Sequence, residues 1–104
     1  MELISPENCK LAIEKNEGVI VDVRENYEYS NCNIGFLNIP MGEISERVNE
    51  IPREKKVIVM CQSGRRAEAV ANLLETEYKM HSIYIMEGGI SAWKEQIDQT
   101  LQLD

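Results

Sequence analysis

Apolar residues along this chain come in short solid blocks separated by polar stretches with a helical rhythm. Val19-Ile20-Val21-Asp22-Val23 and Val57-Ile58-Val59-Met60 are nearly unbroken β-branched runs. Runs of this kind predict strands buried on both faces, since a strand with one wet face would alternate. Ile83-Tyr84-Ile85-Met86 predicts a last strand, Leu3-Ile4 a short opening one, and Leu37-Asn38-Ile39 another that Pro40 stops. Between them, Ser5 reads as a helix N-cap with Pro6 at the first helical position; Leu11, Ala12 and Ile13 follow on that helix, and Gly18 lies past its end. Residues 25–31 predict a short helix or turn. Ile44, Val48 and Ile51 have helical spacing, which predicts a helix over 43–51 that Pro52 ends. From Arg66 onward, Ala67, Val70, Ala71, Leu74 and Tyr78 line one helical face. Gly88-Gly89 predicts a turn, and residues 90–97 a closing helix that holds Trp93 in the core.

Strands and helices alternate, and the connections are too long for hairpins. The expected fold is α/β, a central and mainly parallel β-sheet flanked by helices on both faces. The 104 residues suit one domain over 1–104 with one core, to which the 43% apolar content is adequate. Ligands of such sheets bind beyond the carboxyl ends of the strands. Cys61 falls at one such end, Asp22 and Arg24 at another, and residues 87–89 at a third.

Composition narrows the function classes. The longest apolar run is only a few residues, so no membrane-spanning helix is expected. The N-terminal stretch lacks a basic flank and an apolar core, so no signal peptide is read there and a cytoplasmic location is expected. A formal net charge of -7 repels nucleic acid and anionic membranes, so neither is an expected partner. Cys9, Cys32 and Cys61 are odd in number and widely spaced, which argues against a disulfide framework and fits a reducing compartment. With His81 as the only histidine and no paired cysteines, no metal site is expected.

The candidate chemistry lies in Cys61-Gln62-Ser63-Gly64-Arg65-Arg66-Ala67. A strand ends in a thiol, a tight loop follows, and a helix begins. Backbone N–H groups and the positive helix end would then converge on the sulfur, a setting that favours the reactive thiolate. Gly64 permits the tight curvature. Arg65 and Arg66 form a local cationic spot in an acidic chain; each is read either as an attractor for an anionic substrate or as a solvated surface residue. The arrangement points to sulfur or phosphoryl chemistry on an anion.

Four segments in order resemble the rhodanese family of sulfurtransferases: Val21-Asp22-Val23-Arg24-Glu25 followed by Tyr27-Glu28-Tyr29; Asn38-Ile39-Pro40; the Cys61 loop; and Glu87-Gly88-Gly89-Ile90-Ser91-Ala92-Trp93. The resemblance covers roughly residues 3–97 and implies a rhodanese-like fold. It implies that Cys61 takes a sulfane sulfur from a small anionic donor such as thiosulfate as a persulfide. A thiol, cyanide or a protein acceptor then removes it, without metal or organic cofactor. Gln62, Ser63, Gly64, Arg65 and Arg66 would form the persulfide-binding loop, with Ser63 able to add a hydrogen bond. Asp22 and Arg24 would support it through an ion pair rather than touch substrate. Cysteine-dependent phosphatases place five residues between cysteine and arginine; here four separate Cys61 from Arg66, a smaller cradle. Phosphatase or arsenate chemistry is therefore the weaker enzyme reading. The readings from other classes are a non-enzymatic rhodanese-like binding module and a persulfide carrier to a partner protein. Small size favours a monomer.

The chain departs from the family pattern at Cys32-Asn33-Ile34-Gly35-Phe36, where Gly-His-Ile-Pro-Gly is usual. Cys32 reads as a second thiol near Cys61 or as an ordinary residue of a short connection. Cys9 has no assigned role, His81 is expected to be exposed, Glu87 is placed at the rim of the site, and Tyr27 and Tyr29 are expected to pack with a polar tip outward.

Overall fold

The two β-branched runs lie side by side at the centre of the molecule. The computed structural model describes residues 1–103. Strand β2 (Gly18–Asp22) pairs in parallel with β4 (Lys56–Met60), Gly18 opposite Lys56 and Asp22 opposite Met60. Strand β5 (Ile83–Met86) lies on the far side of β4, with β1 (Glu2–Ile4) outside it; β3 (Leu37–Asn38) flanks β2. The order is β1-β5-β4-β2-β3 and every pairing is parallel, where the sequence predicts a mainly parallel sheet.

Alternation along the central strands divides the core into two layers. Val21, Val57 and Val59 face one side with Ile39, Ile44, Ala67, Val70 and Leu74. Ile20, Ile58 and Met60 face the other with Cys9, Ala12, Ile90 and Trp93. Helix α4 (Arg65–Thr76) and the turn α3 (Ile44–Arg47) cover the first face; α1 (Pro6–Glu14) and α5 (Gly89–Gln96) cover the second. The short α2 (Asn26–Asn31) stands beyond the carboxyl end of β2. Both covering layers explain why residues 19–21 of β2 and 57–60 of β4 are apolar without alternation.

Three segments differ in ways that matter from the sequence reading. The segment 43–51 is not one helix but a 3-10 turn at Met41–Glu43, a single α-turn, and a second 3-10 turn at Val48–Glu50. Only Ile44 and Ile51 need full burial, and short turns bury them as well as a helix would. Helix α4 starts at Arg65, one residue earlier than predicted, and ends at Thr76, which leaves Tyr78 in the connection to β5. Its cap is made there: the Glu77 N–H donates to the Leu73 carbonyl at 2.9 Å. The closing helix begins at Gly89, so that glycine is helical rather than part of the turn. Among the described residues no helix is long and apolar enough to cross a membrane.

Candidate active site: the Cys61 loop

Strand β4 delivers Cys61 to the carboxyl end of the sheet, where the residue is 1% exposed. Its Sγ accepts the Gly64 N–H at 3.0 Å and the Ala67 N–H at 3.4 Å. Gly64 has φ +121°, a left-handed conformation that side chains resist, and open space where a Cβ would stand. The demand for glycine there is conformational alone. Its carbonyl accepts the Glu68 N–H at 2.9 Å, the first turn of α4. The three N–H groups before Glu68 have no carbonyl within the helix, and that of Ala67 goes to the sulfur. The positive end of a twelve-residue helix therefore abuts Sγ.

A second helix end holds the loop from behind. The Ile90 N–H donates to the Cys61 carbonyl at 2.9 Å, and the Ser91 N–H to the Gln62 carbonyl at 3.3 Å. The Gln62 amide donates to Ser91 Oγ at 3.1 Å. A planar trans peptide points its C=O and N–H in opposite directions, so fixing these two carbonyls on α5 turns the next two N–H groups away from it. The approach is close: Gly89 is buried with φ +61°, and a Cβ on it would collide with the carbonyls of Cys61 and Gln62.

The predicted supporting pair is present and buried. Arg24 and Asp22 are 2% and 1% exposed, with Nη2 to Oδ2 at 2.8 Å and Nε to Oδ1 at 3.0 Å. Arg24 Nη2 also donates to the Cys32 carbonyl at 2.7 Å, and the Asn38 amide donates to the Asp22 and Arg24 carbonyls. The pair thus ties β2, β3 and the end of α2 together beside the loop, with Nε and Nη2 of Arg24 committed to Asp22 and Cys32 and Nη1 reaching the Glu28 carbonyl at 3.5 Å. Arg66 forks onto Glu28, Nη1 to Oε1 at 2.6 Å and Nη2 to Oε2 at 3.1 Å. Glu28 Oε1 also accepts the Glu25 N–H at 2.9 Å. The hydrogen bond from Arg66 holds the Glu28 carboxyl below the usual carboxylate range, and Glu28 in turn pushes the Arg66 guanidinium up. Arg65 is exposed and has no ion-pair partner among the described residues.

The remaining candidates separate into two sides. A cavity of about 340 Å³ runs between α2 and the loop, lined by Arg24, Tyr27, Glu28, Cys32, Gln62 and Leu103 among others. On the other side Ser63, Gly64, Arg65 and Glu87 line a shallower cleft, which puts Glu87 at the rim as expected. Cys32 is partly exposed, and Cys9 is fully buried in α1, where burial pushes its thiol up to about 12. Asn33 closes the atypical connection itself: its amide donates to the Tyr29 carbonyl and its Oδ1 accepts the Gly35 N–H. Tyr29 packs as expected, its hydroxyl donating to the Phe36 carbonyl at 2.6 Å. Tyr27 does not: it is 76% exposed at the rim of the cavity, because α2 is too short to turn a second aromatic inward.

Sequence reasoning did not single out Glu28, Gly89 or Ser91 as parts of the site. For Glu28 a signal existed, since Glu25-x-x-Glu28 is a capping-box pattern that the structure forms in both directions. Ser91 carried none.

Comparison with known proteins agrees with this geometry. The family model of the rhodanese-like domain matches residues 5–96. The thiosulfate sulfurtransferase GlpE of Coxiella burnetii is 32% identical over 84 residues, 79% of this chain and 77% of that protein. YrkF of Bacillus subtilis, a proposed sulfur carrier protein, is 34% identical over 87 residues, 82% of this chain but 47% of YrkF, so this chain spans about half the length of that relative. The crystal structure of a rhodanese-related protein from Thermoplasma volcanium superposes with a TM-score of 0.83 at 28% identity, each chain covered to 100%. The chain belongs to the rhodanese-like domain family.

Proposed function

We propose that this protein is a sulfurtransferase that carries a sulfane sulfur as a persulfide on Cys61. The observation that supports it most is the double N–H donation to Sγ from Gly64 and Ala67 at the positive end of α4. Negative charge on sulfur is met there by the main chain, and hydrogen bonds to charged groups contribute about 1.5–3 kcal/mol each. With thiosulfate as donor, the Cys61 thiolate attacks the outer sulfur, a new S–S bond forms, and sulfite leaves with the electron pair. Cyanide then takes the outer sulfur as thiocyanate and restores the thiolate; a thiol acceptor takes it as a new persulfide. Gln62 to Arg66 supply the cradle, while Asp22 and Arg24 position it without touching substrate. Four residues between Cys61 and Arg66 make a cradle sized for one sulfur rather than for phosphate.

A carrier that hands its sulfur to a partner protein is the second reading, favoured by the likeness to YrkF. Intact mass distinguishes the outcomes. A one-sulfur adduct that forms with thiosulfate, needs Cys61 and disappears with cyanide is expected for the enzyme. Loading from a persulfide with little turnover to cyanide marks the carrier. No adduct from either donor, with the Cys61→Ser protein run alongside, would leave a binding module or a phosphate-type substrate.

A further inference from the structure

The stretch that follows α5 belongs to no helix or strand, yet it returns to the site. Asp98 Oδ1 accepts both the N–H and the hydroxyl of Thr100, and the Leu101 N–H donates to the Asp98 carbonyl at 3.4 Å. The chain therefore turns as it leaves the helix. Residues 98–103, once extended, can span up to about 20 Å. The eight residues of α5 measure about 12 Å. The stretch is thus long enough to run from the far end of α5 back to the end that braces the Cys61 loop. Its side chains arrive there: Leu103 lines the cavity of about 340 Å³ with Cys32 and Gln62, and is the one aliphatic side chain in that lining among the described residues.

The second observation is how this stretch is held. Among the described residues its hydrogen bonds stay local: the Asp98 N–H goes to the Trp93 carbonyl, the Gln99 amide to the Glu95 carbonyl, and the rest lie within 98–101. Among the same residues, Leu101 and Leu103 tie it to the body of the fold. Both are partly buried on the core layer that contains Trp93. Half of a leucine's burial is worth about tenfold in an equilibrium constant, and two such leucines about a hundredfold. The entropy of ordering six residues opposes that gain. The stretch is seated by a narrow margin, beside a loop that is seated firmly.

We propose that residues 98–103 form a strap that closes the α2 side of the Cys61 loop, and that it opens as a unit while the domain stays folded. Leu101 is its seat on the core and Leu103 its closing side chain. Opening joins the cavity to solvent and uncovers Cys32 and Gln62. The cleft along Ser63, Gly64 and Arg65 has no strap residue in its lining, so that side of the loop is the same in both states. A small anion reaches the loop there without waiting for the strap, whereas a bulky molecule entering beside α2 waits for it to open. The strap lies outside residues 5–96, the part of the chain that the family model matches. The inference does not depend on the sulfur-transfer reading.

The test labels the native protein with a bulky thiol reagent, fluorescein-5-maleimide, and reads the rate at Cys32 by peptide mass. Leu103→Ala should raise that rate by up to about tenfold. Leu101→Ala is the decisive variant, because Leu101 is not among the residues that line the cavity. A strap that opens as a unit makes the Cys32 rate rise about as much in Leu101→Ala as in Leu103→Ala. Acrylamide quenching of Trp93, the only tryptophan, should increase in both variants. Unchanged circular dichroism shows that the domain is folded. Leu101→Val, with a rise of roughly twofold, keeps the test valid if Leu101→Ala unfolds. A rise in Leu103→Ala alone makes Leu103 a fixed wall and overturns opening as a unit; no rise in any variant overturns the closure. Sulfur loading of Cys61 enters none of these readings, so failure of the sulfur-transfer reading would show separately.

Discussion

Replacing Gly89 with alanine should damage this protein more than the same change at Gly64, although both glycines have positive φ. At Gly64, φ +121° with open space around the missing Cβ leaves only backbone strain, about 1–3 kcal/mol. At Gly89, φ +61° costs about 1–2 kcal/mol for a residue with a side chain. The new Cβ also meets the backbone carbonyls of Cys61 and Gln62, which cannot rotate away as a side chain would. Relieving that overlap means moving α5 back from the loop. The move stretches the Ile90 bond of 2.9 Å and the Ser91 bond of 3.3 Å, and overpacking of this kind adds about 1–3 kcal/mol. The sum for Gly89→Ala is about 2–5 kcal/mol, a large share of the roughly 5–15 kcal/mol available to a typical domain. Urea unfolding followed by circular dichroism reads the difference directly. Gly89→Ala should have a clearly lower midpoint than Gly64→Ala at equal slope. Equal midpoints would refute the close seating of α5 on the loop. Loading should order the other way per folded molecule: Gly64→Ala strikes the N–H that bonds Sγ, while its fold survives.

Four further outcomes follow from the same geometry. Cys61→Ser should abolish sulfur loading without lowering the unfolding free energy in urea by more than about 1 kcal/mol, since the change is small; a retained adduct in that variant excludes Cys61 as the carrier. Arg24→Met should destabilise by about 3–5 kcal/mol, because it strands the buried Asp22 carboxylate, and a midpoint within error of wild type would rule that out. Cys9 ionises near 9.0 when unfolded but only at about 12 when folded, so its contribution to stability is complete below 9.0 and is lost as pH rises toward 12; Cys9→Ala should flatten the alkaline decline, and native alkylation should label Cys32 long before Cys9. The Glu28 carboxyl is held below its usual range by Arg66, so its contribution is present at neutral pH and lost as pH falls through the lowered value. Acid titration of Glu28→Gln should therefore show a shallower loss of stability than wild type.

Local pattern made the strands and the placing of Cys61 at a strand end legible. The β-branched runs at 19–23 and 57–60 can be buried on both faces only in a covered sheet, and a thiol at such a strand end before a Gly-bearing loop points to one place in the fold. The 43–51 segment misled because apolar spacing reports which residues need burial, not how many turns carry them. Tyr27 misled for a related reason: an aromatic on a six-residue helix has no guaranteed inner face. The Arg66–Glu28 fork joins residues 38 apart in sequence, and the seat of α5 on the loop joins Gln62 to a residue 29 positions on. Neither leaves a periodic trace. Both depend on where separate elements come to rest, which only packing decides.

Among the described residues, both groups that hydrogen-bond Sγ, and two of the groups that brace the loop from behind, belong to the main chain. A cradle of that kind is indifferent to the side chains it carries, glycines apart. Positions 62, 63 and 65 can therefore change in size and charge while the sulfur keeps its donors. On the proposed sulfur-transfer reading, reactivity rests on the main chain of the loop and choice of donor on its side chains, so a lineage built on this scaffold can trade one donor for another by substitutions there without losing the groups that hold the sulfur.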